Sequence, residues 1–333
     1  MAPDHELTIS AEGLTRTFRP PVRRSGLKAA FTSIVRREYR TIDAVRDLSF
    51  QVEPGELVGL IGPNGAGKTT TMKMLAGVLQ PSAGRASVLG HTPGKRERAF
   101  LRAITLLRGS QPIGGPAELT VMDNFHYRRL LYDLSREQFD AHLAELADIL
   151  DLDELLSRQV RALSLGQRMR AGLALCLIHR PRVVFLDEPT IGLDATAALA
   201  FRGFVGRYAT GTGATIILTS HYMTEVEALC SRVILIDRGS LRFDGSLSAL
   251  AATLSPWKEI RVAPQSGGGP VRWEDFGEVV AEDADGVSIR VHRQRVPQVT
   301  ADLLARTELS DLSVTQPPLE VVLDQYYRSE QAS

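Results

Sequence analysis

Short apolar runs closed by glycine or proline alternate along this chain with stretches in which apolar residues recur every three to four positions. The clearest runs are Glu56 to Ile61, Val183 to Leu186, Thr215 to Thr219 and Val233 to Ile236. Their hydrophobicity is continuous rather than alternating, which predicts strands buried on both faces. Strands of that kind, spaced by helical segments, predict an α/β fold with a mostly parallel core sheet. From about Glu118 to Ile178 the helical period dominates, as in AHLAELADILDLDELL from Ala141. A helical subdomain inserted into the core is expected over 118–178, where it can act as a lever.

After Leu254 the texture changes. The segment from Pro256 holds the glycine-rich run QSGGGP, an alternating stretch VSIRVH and a closing amphipathic pattern PPLEVVLDQYYR. A small α+β subdomain is therefore expected over 255–333, following a main domain over 1–254. Leu319, Val322, Leu323 and Tyr326 share one helical face, which predicts packing on local strands or, as the alternative, a dimer contact.

Chemistry enters at Gly62. The segment Gly62, Pro63, Asn64, Gly65, Ala66, Gly67, Lys68, Thr69, Thr70 matches GxxxxGK[ST], and it follows an apolar strand and opens a helix. Backbone N–H groups of such a turn surround phosphates, Lys68 reaches the β- and γ-phosphates, and the Thr69 hydroxyl is placed to ligate Mg2+. A cradle alone fits many nucleotide enzymes. The strand VVFLDEPT narrows the choice, because it ends in two adjacent acids where ligands of open α/β sheets gather. Asp187 is expected to hold Mg2+ and Glu188 to act as general base toward water.

LSLGQ, from Leu163 to Gln167, lies just before a helical segment and upstream of that acidic strand. With it, the chain resembles the ABC ATPase family across about residues 7 to 250, and the resemblance implies a P-loop ATPase cassette using ATP and Mg2+. In that family this motif closes over the γ-phosphate held by the opposite subunit, so Ser164, Gly166 and Gln167 would complete a partner's site. Leu165 stands where the commonest family pattern has glycine. Gln111, eight residues before Leu119 of the LTV segment, resembles the family's glutamine loop and would sense Mg2+ and the attacking water. Asp194 in TIGLD resembles the loop that crosses the dimer interface, and His221 after TIILTS resembles the switch histidine that contacts the γ-phosphate. The family stacks an aromatic ring on adenine, for which Phe18 is the best match and Tyr39 the fallback.

The resemblance also implies partners: a second ATPase subunit, with a homodimer expected, and integral membrane permease subunits. Between Phe18 and Thr41 the chain carries RPPVRRSGLKAAFTSIVRREYR, whose apolar face lies among basic residues. This insertion over 19–41 suits an anionic membrane face, a membrane subunit, or docking on its own cassette. Together with LSLGQRMR, LDEPTIGLD and the small C-terminal subdomain it makes the chain similar to a bacterial branch of ABC-2-type ATPases, commonly exporters. The rival expectation is a non-transport relative acting on ribosomes or DNA.

Composition changes little in this picture. The 333 residues are 44% hydrophobic and 23% charged, and basic and acidic residues balance at 39 each, which gives no reason to expect a nucleic-acid partner. Cys176 and Cys230 stand in apolar surroundings without metal-ligand spacing and read as buried reduced thiols. No apolar run is long enough to span a bilayer, so the expected location is cytoplasmic, peripheral on the inner face of the cell membrane.

Overall fold

The computed structural model describes residues 7–20, 40–220, 222–265, 271–283, 285–316 and 319–332. Residues 21–39, which hold most of the basic insertion and Tyr39, lie outside them, as do His221 and most of QSGGGP. Two compact units are formed, Met1–Gly245 and Ser246–Ser333.

The first unit opens with β1 (Ile9–Phe18) and β2 (Ile42–Val52), followed by β3 (Leu57–Ile61), α1 (Lys68–Leu75) and β4 (Ala83–Val88). Next come α2 (Arg98–Ala103), β5 (Ile104–Arg108) and four helices, α3 (Val121–Leu131), α4 (Arg136–Leu150), α5 (Asp153–Leu156) and α6 (Leu165–Leu177). The chain then returns through β6 (Val183–Asp187), α7 (Ala195–Thr212), β7 (Thr215–Thr219), α8 (Met223–Leu229), β8 (Arg232–Asp237) and β9 (Ser240–Ser246).

Among the described residues the main sheet has six strands in the order β5-β6-β7-β3-β8-β9. β5, β6, β7, β3 and β8 pair in parallel. The apolar runs account for this arrangement: every residue of β6 and β7 is buried, which only a strand covered on both faces requires. Each fully buried aliphatic or aromatic side chain there contributes about 1.5–3 kcal/mol. A second, antiparallel sheet, β2-β1-β4, shares one core with the main sheet through Leu14, Val45, Leu60, Phe185 and Ile234.

The helical segment forms as its sequence signals dictate. α3, α4 and α6 each begin at a capping box, Thr120 with Asp123, Ser135 with Gln138 and Ser164 with Gln167, which satisfies amide donors left over at a helix start. α6 is the apolar axis of the group, buried almost continuously from Ala171 to Leu177, and it packs on α3, α4 and β5. Both cysteines are buried free thiols, and burial pushes Cys230 up to about 12. No helix among the described residues is long and apolar enough to cross a membrane.

The second unit comprises α9 (Leu247–Leu254), β10 (Trp257–Pro264), β11 (Glu278–Asp283), β12 (Gly286–His292), α10 (Val296–Arg306), β13 (Leu309–Thr315) and α11 (Leu319–Ala332). Its strands form an antiparallel sheet in the order β11-β12-β10-β13. Val299 and Leu303, one turn apart on α10, close its core over Ile260, Val262 and Ile289. Leu319, Val322 and Leu323 are buried as their spacing predicts, with α11 lying against α9.

Candidate functional site

The loop from Gly62 to Gly67 joins β3 to α1 and needs glycine at two points of close approach. Gly62 has φ 150°, and a Cβ there would sit 2.0 Å from the Ile236 carbonyl oxygen; Gly67 has φ 105°, and its Cβ would sit 2.4 Å from that of Ala44. No other residue type fits either place. Gly67 is the residue before α1, no side chain caps the helix, and its first turn holds no acid. The positive helix end and its amides are thus left for an anion.

Lys68 is 5% exposed, and its ammonium donates to the carbonyl oxygens of Gly62 (2.6 Å) and Pro63 (3.1 Å). Burial lowers its pKa below the ordinary lysine range, while the carboxylates of Glu188 and Asp187 oppose that shift. Ala66 is buried and braced through its amide on the Pro63 carbonyl, whereas Asn64 and Gly65 are exposed at the loop tip. Thr69 and Thr70 occupy the first turn of α1, both half-buried.

The acids arrive from β6. Asp187 Oδ1 accepts hydrogen bonds from Thr69 Oγ1 at 2.9 Å and Thr219 Oγ1 at 3.0 Å. The same Thr219 hydroxyl accepts from the Glu188 amide at 2.9 Å. One hydroxyl at the end of β7 therefore orients both acids, and sequence reasoning missed it. Its signal was present as the polar residue closing the apolar run TIILT, in register with Asp187. Glu188 has φ 51°, a left-handed conformation that costs about 1–2 kcal/mol outside glycine. That strain aims the residue away from the strand direction and is held by the Thr219 contacts. Gly109, also missed, lets the loop after β5 cross this point: its amide donates to the Asp187 carbonyl at 2.8 Å, and a Cβ would sit 1.9 Å from the Glu188 carbonyl oxygen.

Thr69 and Asp187 are hard oxygen donors joined across 2.9 Å, a set that fits Mg2+ held by one or two protein oxygens together with phosphates and water. No cluster of three or more His, Cys, Asp or Glu side chains suited to a metal occurs among the described residues, so nothing there resembles an all-protein metal cage.

Gln111 follows β5 by one turn, is exposed, and has its carboxamide oxygen 3.4 Å from Arg108 Nη2. Beside it, Pro112 packs so tightly on α6 that a Cβ on Gly172 would meet the Pro112 carbonyl oxygen at 2.6 Å. At the other end of α6, Ser164 is the exposed N-cap: its Oγ accepts from the Gln167 amide, and Gln167 Oε1 accepts from the Ser164 amide. The carboxamide oxygen of Gln167 is thus engaged in the cap, while the Ser164 hydroxyl keeps its proton to donate. Leu165 lies over Gly192, where a Cβ would meet it at 2.5 Å, and Gly166 neighbours Leu193. Within this chain, α6 therefore touches both the loop that holds Gln111 and the segment before Asp194. Asp194 caps α7 by accepting from the Ala197 amide at 2.8 Å.

Phe18 closes β1 half-buried, with the Arg16 guanidinium 4.8 Å from its ring centroid, so one face is already covered. His221 falls outside the described residues. On either side of it, Ser220 Oγ donates to buried Glu225 (2.7 Å) and accepts from the Tyr222 amide (2.9 Å).

With this geometry in view, the ABC transporter family model matches residues 45–191, and a model described as the EvrA-like ABC transporter, C-terminal domain, matches residues 256–315. The chain is 37% identical over 211 residues to the ABC transporter ATP-binding protein NatA of Bacillus subtilis (strain 168), covering 63% of this chain and 85% of that one. It is 35% identical to the Nod factor export ATP-binding protein I of Paraburkholderia xenovorans (strain LB400), covering 66% and 71% respectively. In fold it is similar to the ATP-binding subunit of an ABC transporter, at a TM-score of 0.61 and 23% identity over 74% of this chain and 92% of that one. A dimeric post-hydrolysis ATP-binding cassette, MJ0796 bound to ADP and Pi, matches at a TM-score of 0.59 and 18% identity, over 72% of this chain and 98% of that one.

Proposed function

Because this chain belongs to the ATP-binding subunits of ABC transporters, ATPases that power transport, we propose that it hydrolyses ATP at two sites shared between facing copies and drives export. Subunits of this family dimerise and work with membrane permeases. Two copies of this chain form the dimer, which sits peripherally on the inner face of the cell membrane. Export rests on likeness to relatives such as the Nod factor export protein.

The observation that carries the reading is the hydrogen-bonded chain Thr69, Asp187, Thr219, Glu188, set beside Lys68 at the carboxyl ends of β3, β6 and β7. Phosphates enter the Gly62–Gly67 loop, and Lys68 exchanges its two carbonyl partners for β- and γ-phosphate oxygens. Mg2+, for which Thr69 and Asp187 are the fitting donors, would neutralise phosphate charge when bound. Glu188 takes a proton from the water whose oxygen attacks the γ-phosphorus. The bond from that phosphorus to the bridging oxygen breaks, its electron pair leaves with ADP, and inorganic phosphate is released.

Gln111 orients the attacking water from the loop after β5, His221 contacts the γ-phosphate, and Phe18 offers its uncovered face to adenine. The other subunit contributes Ser164 and the Gly166 amide to the γ-phosphate, with Gln167 holding the cap that aims them and Asp194 holding the neighbouring loop. Replacement of Glu188 by Gln keeps the shape and removes the base. The expected result is retained ATP binding, steady-state phosphate release lowered about 100-fold or more, and a closed dimer in ATP on size-exclusion chromatography. Affinity purification of that trapped protein from its native membranes should recover a polytopic protein. Near-normal turnover would remove Glu188 from the role of base.

A further inference from the structure

The second unit holds a cleft that ATP hydrolysis does not use. Its sequence from 246 to 333 contains more acidic than basic residues, and some of its cations are neutralised locally: Arg261 pairs with Asp283, Arg290 with Glu259 and Glu278, and Arg328 with Asp324. Arg272, Arg295 and Arg306 have no acid within ion-pair distance among the described residues, and neither do Lys258 and Arg293. Both line one open cleft of about 490 Å³, a volume ordinary for small-ligand sites.

Lys258 breaks the strand pattern. Ile260 and Val262 of β10 are fully buried in the core of this unit, and the period of two puts position 258 on the same face. An apolar residue is expected there. Instead a half-buried lysine stands opposite buried Val291, and the β10–β13 register continues to Gln316 at its other side. Arg293 is brought to the same end of the sheet because its amide donates to the Pro256 carbonyl at 2.7 Å, one residue beyond the Trp257–His292 pair. Half-buried Lys258 and exposed Arg293 can each give an incoming anion a charge-assisted hydrogen bond.

The remaining walls are of two kinds. Ser248 and Gln316 offer neutral hydrogen-bonding groups, while Ala252 with Val296 and Pro297, the first two residues of α10, form an apolar side. The positive end of that helix therefore stands beside the two cations.

We propose that this cleft is a binding site for a small amphipathic anion, a phosphate or carboxylate head on a short alkyl body. Lys258 and Arg293 hold the head by charge-assisted hydrogen bonds, Gln316 and Ser248 complete its hydrogen bonding, and the alkyl part covers Val296, Pro297 and Ala252. The same chemistry is offered by a soluble organic phosphate and by an anionic lipid, and the test separates the two.

Isothermal titration calorimetry on the full chain, with the nucleotide site saturated by ADP, uses hexyl phosphate as probe and hexanol and inorganic phosphate as controls. Hexyl phosphate should bind saturably and more tightly than either control, and added salt should weaken it. The double variant Lys258→Gln, Arg293→Gln should bind about tenfold or more weakly, with basal ATP turnover unchanged. Should the double variant fail to fold by circular dichroism, the two single variants carry the same comparison. Sedimentation with phosphatidylglycerol vesicles then names the source: co-sedimentation that the variants lose assigns an anionic lipid, and its absence beside hexyl phosphate binding assigns a soluble anion. Hexyl phosphate binding no better than hexanol, or binding untouched by the substitutions, overturns the proposal.

Discussion

Two helix starts in this chain are built in opposite ways. At α1, Gly67 offers no side-chain cap and the two ends of the loop press closely on the Ile236 and Ala44 carbonyls. At α6, Ser164 and Gln167 form a complete capping box on the exposed surface. The first leaves its amides to a ligand and is tied into the core through Thr69, Asp187 and Thr219. The second already satisfies part of its own start and leaves the hydroxyl proton of exposed Ser164 available. A start of the first kind can hold phosphates from within its own chain, whereas one of the second kind needs a phosphate brought to it. The division is what a site shared between two subunits requires.

The contrast can be broken most severely on the cradle side. Thr219→Val removes the hydroxyl that joins Asp187 to Glu188 and leaves the left-handed Glu188 without one of its two backbone anchors. Turnover in a steady-state phosphate assay should fall about tenfold or more, with thermal stability lower by about 1–3 kcal/mol. Turnover within a factor of two of the parent would detach Thr219 from the acids.

On the clamp side the next effect is acid sensitivity. His179, just beyond α6, stacks on Tyr132 with ring centroids 3.7 Å apart and bonds the Ile104 carbonyl; burial lowers its pKa to about 4. Its pKa is therefore below the unfolded value, and the unfolded chain binds the proton more tightly. Stability should decline as pH falls below about 6.5 and level off below about 4, by about 3 kcal/mol at most. Equilibrium denaturation of His179→Gln across that range should lack this part of the slope, and an unchanged slope would contradict the assignment.

The smallest effect is expected at Leu165, which covers Gly192 within its own chain while remaining 38% exposed. Leu165→Gly should leave turnover within about threefold and cost no more than about 1 kcal/mol in thermal melts. A larger loss of turnover would make this side chain part of the closing surface.

The parallel core was legible because strands buried on both faces must be continuously apolar, although the equally apolar run from Ala171 to Ile178 belongs to α6 and is told apart by its length and the capping box before it. The cradle and the acid pair were legible as well, since their chemistry is written in contiguous residues, Gly62 to Thr70 and Asp187 with Glu188. Thr219, Gly109 and Gly172 were not. Each acts across space on a partner far away in sequence: Thr219 on Asp187 through strand register, Gly109 on Glu188 and Gly172 on Pro112 through close approach. A lone threonine or glycine carries no spacing signal for such contacts. Phe18 shows the converse, since its aromatic character was plain and the Arg16 guanidinium on one face was not.

The most direct test mixes two disabled chains. Lys68→Ala empties a chain's own cradle and Ser164→Arg blocks the clamp that it lends, so each homodimer should be inactive. In a mixed dimer one site pairs the intact cradle of the Ser164→Arg chain with the intact clamp of the Lys68→Ala chain. Equal mixing should therefore restore about a quarter of the parent's phosphate release, because half of the dimers are mixed and each has one good site. No recovery in mixtures shown to exchange subunits would contradict the division of the ATP site between two chains.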